Sequence, residues 1–235
     1  VNDALRHAER RREFNVPELK RLAAASVNRG SEDVASFKKL AEGGFNRTFL
    51  VTMRDGFQMV ARIPYTATEP KSLAVASEVA TLDYLRLHDL PVPKVYGYSA
   101  TSENAAGTEY VFMEFVHGTN LGDVWYDLSE NARIHAVTKL VELESRAFSL
   151  QFPASGSLYY QKDMQALAPS VSGIPLNTAD QGTESKFCIG PESTLGLWYG
   201  RRLGLQVDRG PCTCNLYHRT SLPPPRSSSI LHTHG

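Results

Sequence analysis

Leu40-Ala41-Glu42-Gly43-Gly44-Phe45-Asn46-Arg47-Thr48-Phe49-Leu50-Val51 decides how this chain is read. Two adjacent glycines end one apolar run and an alternating run follows them. Arg54-Asp55-Gly56 then leads into Phe57-Gln58-Met59-Val60-Ala61-Arg62-Ile63. Asp-Gly between alternating runs is a strong hairpin signal, so the stretch predicts strand, glycine turn, strand, tight turn, strand. Alternation on the third strand sets Val60 and Arg62 on one face and Phe57, Met59, Ala61 and Ile63 on the other. Backbone N–H groups at a glycine turn can lie over a phosphate chain while a cation on the next strand faces it.

Working outward, Val34–Leu40 predicts the strand that enters the glycine turn. Upstream, residues 5–27 read as helical, with Pro17 at a break or first turn and Leu19, Leu22, Ala23 and Ala24 on a second helix. Downstream, Lys71–His88 predicts a helix with Leu73, Ala76, Ala80, Leu82 and Leu85 on its apolar side and Glu78 near its middle. Pro91 and Pro93 break it. Lys94–Tyr98 and Glu109–Phe115 predict two more strands, giving about five in all with one internal helix. After Gly118 a short helix starts at Leu121–Trp125. A long one covers Ser129–Gln151, with Ile134, Val137, Val141 and Phe148 at helical spacing. Residues 153–195 are rich in Ser, Gly and Pro, with short apolar clusters such as Ser157-Leu158-Tyr159-Tyr160. The divisions expected are a helical extension at 1–32, a β-rich lobe at 33–117, a partial helical lobe at 118–211 and a disordered tail at 212–235. The tail contains Leu222-Pro223-Pro224-Pro225-Arg226-Ser227-Ser228-Ser229, which cannot build a core.

Composition bounds the function. The 235 residues carry 25 basic and 25 acidic side chains, which gives no electrostatic case for nucleic acid or an anionic membrane. No apolar run reaches the length of a membrane span. Three cysteines, Cys188, Cys212 and Cys214, fit a reducing compartment better than a disulfide framework. Cys212-Thr213-Cys214 is half a zinc pattern without its other half, so no metal ligand is assigned. The Arg-rich start contains Asp3, Glu9 and Glu13, unlike an acid-poor transit peptide.

A strand–Gly turn–strand, a basic residue on the next strand, a helix with a carboxylate, then a strand ending in Met113-Glu114-Phe115-Val116 is the order of parts in a protein-kinase-like N-lobe. The segments Lys39–Arg47, Val60-Ala61-Arg62-Ile63-Pro64 and Pro91-Val92-Pro93-Lys94-Val95-Tyr96-Gly97 resemble the aminoglycoside phosphotransferase family. They are most similar to its fungal branch, related to the altered inheritance of mitochondria group. Phe152–Tyr160, Phe187-Cys188-Ile189-Gly190-Pro191 and Asp208-Arg209-Gly210-Pro211 share that likeness, which covers roughly residues 14–211. The fold implied is α+β: a kinase-like N-lobe with an antiparallel sheet, followed by an incomplete helical C-lobe.

The resemblance implies ATP as the nucleotide. Gly43, Gly44, Phe45 and Asn46 would lie near its phosphates, and Arg62 would neutralise their charge, oriented by an ion pair to Glu78. Val60 would sit by the base, Met113 behind it, and Glu114 and Val116 would present backbone groups to adenine. Most kinases place Lys where this chain has Arg62, and the planar guanidinium holds phosphate differently. The family's catalytic His-Gly-Asp loop and its magnesium-binding Asp have no counterpart here, so no catalytic residue is assigned and the magnesium ligands are missing. His117-Gly118-Thr119-Asn120 and His88-Asp89 are lookalikes without a role. The expectation is a chain truncated before the catalytic loop, its last two dozen residues resembling out-of-frame or mis-spliced sequence. If further helices normally cover residues 121–150, an apolar patch is expected there. The function expected is phosphoryl transfer from ATP to a small-molecule or protein substrate in full-length relatives, with this chain catalytically incomplete. The alternative is a pseudokinase fragment that binds nucleotide or a partner. The location implied is mitochondrial, or else cytoplasmic.

Overall fold

A computed structural model describes residues 13–65, 68–176 and 186–213. Five antiparallel strands form the main sheet: β1 (Val34–Glu42), β2 (Asn46–Met53), β3 (Gln58–Pro64), β4 (Val95–Ser99) and β5 (Tyr110–Glu114), in the order β1-β2-β3-β5-β4. Sequential hairpins account for the first three. The β4–β5 hairpin then adds through β5 to β3, with Val60 opposite Met113 and Arg62 opposite Val111. This is the expected α+β architecture, with strand ends moved by one or two residues.

The period-two pattern of β3 divides the molecule. Met59, Ala61 and Ile63 are buried on one face together with Val51, Met53 and Phe112. Helix α1 (Val16–Ala25) closes that face with Leu19, Ala23 and Ala24. Its start is fixed by Asn15, whose side chain accepts from the Glu18 N–H, and by Pro17 in the first turn, where a missing N–H is harmless. The expected helix upstream of residue 13 lies outside the described residues.

Helix α2 (Lys71–Leu87) packs on the opposite face of the sheet. Its expected single stripe is too narrow. Val75, Ala76, Ser77, Val79, Ala80 and Tyr84 are all buried, because the helix is covered from two sides. Val75 and Val79 join Val111 and Met113 of the main sheet. The second cover comes from a stretch whose sequence predicts only short apolar clusters. Here β6 (Ser157–Tyr160), β7 (Ile174–Pro175) and β8 (Phe187–Gly190) form a small antiparallel sheet in the order β6-β8-β7. Leu158, Tyr160, Phe187 and Ile189 pack on α2, while Tyr159 and Cys188 turn to Ala76 and Met164. Polar contacts fasten this sheet to α2: Tyr160 Oη and Lys186 Nζ both donate to Asp83, at 2.8 and 2.6 Å. The 118–211 segment is therefore not only helical.

Two helices leave the main sheet after β5: the short α3 (Leu121–Val124) and the long α4 (Glu130–Phe148), begun by the Ser129 hydroxyl, which accepts from Ala132 N–H. No residue of α4 is buried. Ile134, Val137, Leu140 and Val141 are each about half exposed and Phe148 is 85% exposed, so the apolar patch expected over residues 121–150 is present. Between β6 and β7, α5 (Gln161–Leu167) contributes Met164 to the core. No helix among the described residues is long and apolar enough to cross a membrane. Of the 212–235 tail, all but Cys212 and Thr213 lies outside the described residues.

Candidate functional site: a glycine turn over an arginine–glutamate pair

The site is built on the α2-facing side of β3. Val60 and Arg62 point away from the α1 core, as the alternation requires, and Arg62 forms an ion pair with Glu78 of α2. The two residues stand sixteen positions apart in sequence. Their meeting depends on β3 placing Arg62 on the correct face and on α2 docking with its middle turn over it. Burial pushes the Glu78 carboxyl above its usual value, opposed by the charge and hydrogen bond of Arg62.

Asn46, the first residue of β2, completes the setting of Arg62. Only one orientation of its amide satisfies both ends: the oxygen then accepts from Arg62 Nη2 at 2.7 Å and Nε at 3.0 Å, and the nitrogen donates to the Phe45 carbonyl at 3.2 Å. The guanidinium is thus held between an amide from the glycine-turn strand and a carboxylate from α2.

The glycine turn closes when Gly43 N–H donates to the Asn46 carbonyl at 3.0 Å. Neither Gly43 nor Gly44 adopts positive φ. A Cβ on Gly44 would meet nothing within 4 Å, and one on Gly43 would approach only the Asn46 carbonyl, at 3.7 Å. Neither local backbone geometry nor packing requires glycine here, and the space above the turn is open. Phe45 is half exposed at its tip, and its carbonyl accepts from Tyr65 N–H at 2.9 Å and Thr68 Oγ1 at 2.8 Å.

Sequence reasoning missed the residues that brace this turn. Glu42 and Arg47 pair across it in register. Glu42 accepts from Lys39, from Tyr65 Oη at 2.9 Å and from Arg47 Nη2 at 3.1 Å. Those bonds, that from Lys39 foremost, lower its pKa to about 2. Opposite charges flanking two glycines were the available signal.

At the far end of the site, Met113 is buried opposite Val60, and both belong to the α2-side cluster. Glu114 closes β5: its N–H donates to the Lys94 carbonyl at 2.8 Å, and its carboxylate accepts from Lys94 N–H at 3.0 Å. Val116 is 60% exposed, and among the described residues neither its N–H nor its C=O has a hydrogen-bond partner. The structure thus brings Asn46, Arg62 and Glu78 into direct contact. It lines up Val60 and Met113 as cross-strand neighbours and leaves Gly44, Phe45 and Val116 open to solvent. The lookalike motifs have structural duties. Asn120 caps α3 by accepting from Gly122 N–H at 3.0 Å, and His88 and Asp89, the latter with φ of 57°, end α2. No group of three or more metal-ligating side chains occurs among the described residues.

Known proteins are similar to this chain over the region that carries the site. Residues 36–168 match the model of the phosphotransferase enzyme family, APH. A subtelomeric hrmA-associated cluster protein of Aspergillus fumigatus is 41% identical over 175 residues, covering 74% of this chain and 32% of that protein. Altered inheritance of mitochondria protein 9 of Clavispora lusitaniae is 32% identical over 170 residues, covering 68% of this chain and 28% of that protein. The Candida albicans protein of the same name is 30% identical over 168 residues, covering 67% of this chain and 27% of that protein. The chain therefore spans about a third or less of the length of these relatives. The matched region contains the glycine turn, Arg62, Glu78 and the Met113–Val116 segment, and the chain belongs to the kinase-like APH phosphotransferase family.

Proposed function

We propose that this chain is the nucleotide-holding part of a kinase-like phosphotransferase. In this reading the phosphates of ATP lie against Arg62 and the glycine turn of Gly43, Gly44 and Phe45. Adenine lies by Val60 and Met113 and is read by backbone groups of Glu114 and Val116. The observation that carries the reading is the Arg62 guanidinium, fixed by Glu78 and Asn46 beside a turn whose glycines no packing demands. A fixed cation beside open backbone suits a phosphate chain. ATP would supply the phosphoryl group, and the acceptor would be a hydroxyl of a small-molecule or protein substrate.

The 235-residue sequence contains no His-Gly-Asp run. We therefore assign these residues nucleotide binding without turnover, and transfer to the full-length relatives. Magnesium would reach this site bound to the nucleotide phosphates, since no protein ligand set for it is assigned. The mitochondrial naming of several relatives supports a mitochondrial location, which fractionation of a tagged protein would test.

Thermal unfolding with ATP and with adenosine, each with and without magnesium, tests the assignment. ATP is expected to raise the midpoint more than adenosine does. No rise at millimolar ATP would refute nucleotide binding, and sustained ADP production by the purified chain would refute the inactive assignment.

A further inference from the structure

We propose that Asn46 is a positioning residue: it locks the plane of the Arg62 guanidinium and ties that plane to the tip of the glycine turn. A guanidinium is a planar fork, useful to a phosphate only when its plane is set. Glu78 binds Nη1 and so fixes one corner. One corner leaves the group free to swing about that contact. The Asn46 oxygen takes Nη2 and Nε together, at 2.7 and 3.0 Å, which fixes the plane. Glu78 and Asn46 lie on different elements and hold different nitrogens, so between them all three guanidinium nitrogens of Arg62 are engaged.

The other end of the same amide gives the coupling. Asn46 Nδ2 donates to the Phe45 carbonyl at 3.2 Å, and that carbonyl also receives Tyr65 N–H and Thr68 Oγ1. A shift of the turn tip is therefore passed through one side chain to the cation. Asn46 touches phosphate only through Arg62 in this scheme, and its role in nucleotide binding rests on the function proposed above. The geometric part does not.

The test uses the full chain labelled at arginine Nε. In wild type, the Arg62 Nε–H is expected to exchange with solvent at least tenfold more slowly than that of exposed Arg201. In Asn46→Ala the Arg62 rate should rise to that of Arg201. The Arg54 Nε–H, which donates to the Glu32 carbonyl at 2.6 Å, should not change and reports an intact fold. Asn46→Asp keeps the acceptor and should keep Arg62 slow. Should Asn46→Ala unfold, Asn46→Val, a strand-favouring residue without an acceptor, reads the same quantity. An Arg62 rate unchanged in the folded Ala or Val variant overturns the proposal.

Nucleotide titration separates the two claims. Asn46→Ala is expected to weaken ATP about tenfold and adenosine less than twofold. If wild type binds no ATP, the function proposed above fails, while the exchange rates still decide whether Asn46 positions Arg62.

Discussion

Arg62 on β3 and Glu78 on α2 form an ion pair on the face of the sheet opposite the α1 core. Both side chains are partly exposed, at 37% and 27%, so the pair adds little to stability through solvent-screened attraction. In the function proposed above, its larger effect is to aim a charge at phosphate. Arg62→Ala should reduce ATP affinity between ten- and a hundredfold, the loss of a charge-assisted contact of about 1.5–3 kcal/mol. Adenosine, which has no phosphate, should bind within twofold of wild type. Equal losses for both ligands in isothermal titration would show that Arg62 supports the fold and not the phosphates.

Two glycines give opposite expectations. Gly44 has open space where a Cβ would be and no positive φ. Gly44→Ala should change stability by less than about 0.5 kcal/mol while weakening ATP severalfold. Gly156, immediately before β6, has φ of 149°, and a Cβ there would lie 2.3 Å from the Gly190 carbonyl. Gly156→Ala should cost about 2–4 kcal/mol by prising β6 from β8. Urea unfolding of the two variants checks the contrast. A large loss in Gly44→Ala would mean that the turn is glycine-rich for structural reasons.

The carboxylates around the turn respond to pH with opposite signs. Glu42 is held at about 2, first by Lys39, then by Tyr65 and Arg47. Its contribution is present above the unfolded value near 4.5 and is lost as pH falls from there toward 2. Glu78 is raised by burial in spite of Arg62. It keeps its proton longer in the folded state, so stability falls as pH rises through the window that opens at 4.5. Glu42→Gln should therefore be most destabilising near pH 7 and approach wild type at pH 2–3. The stability of Glu78→Gln relative to wild type should improve from pH 4 to pH 7. Denaturation midpoints across that range decide it, and parallel curves for the two variants would contradict both assignments.

The main sheet was legible because its information is local. Alternation in β2 and β3, the Asp55-Gly56 turn and the prolines after α2 each constrain neighbouring residues. The order Gly43-Gly44, Arg62, Glu78, Met113 then marked the candidate site, with Val60 and Arg62 on one face of β3 by alternation. What was not legible depends on distant partners. The quartets Ser157–Tyr160 and Phe187–Gly190 pair in register, but they are short, buried on both sides and separated by a long stretch, so neither alternation nor a hairpin turn announces them. Without that sheet α2 reads as a one-sided helix, whose single stripe leaves out the buried Val75, Val79 and Tyr84. Asn46 was legible as part of the glycine turn. Its bond to Arg62 was not, because it depends on the β2–β3 register that sets Thr48 opposite Arg62 and Asn46 opposite Pro64.

Helix α4 provides a last test, since its sequence and its surroundings disagree. Ile134, Val137 and Val141 recur at the spacing of a buried stripe, yet each is about half exposed. The helix is tethered near its end by Arg146, whose Nη1 donates to the Asp89 carbonyl at 3.2 Å. A half-exposed apolar side chain outside the core clusters contributes little to stability when removed, whereas a core valine truncated to a polar residue costs several kcal/mol. Val137→Ser combined with Val141→Ser should therefore change the unfolding free energy of the 235-residue chain by less than about 1 kcal/mol. The same pair should lower the binding of a hydrophobic dye and the tendency to aggregate, because it breaks up a contiguous apolar surface. Val79→Ser on α2, in the cluster with Val111 and Met113, is the internal control and should cost about 2–4 kcal/mol. If the α4 double variant proved as destabilising as the α2 variant, the stripe would have to be covered in solution.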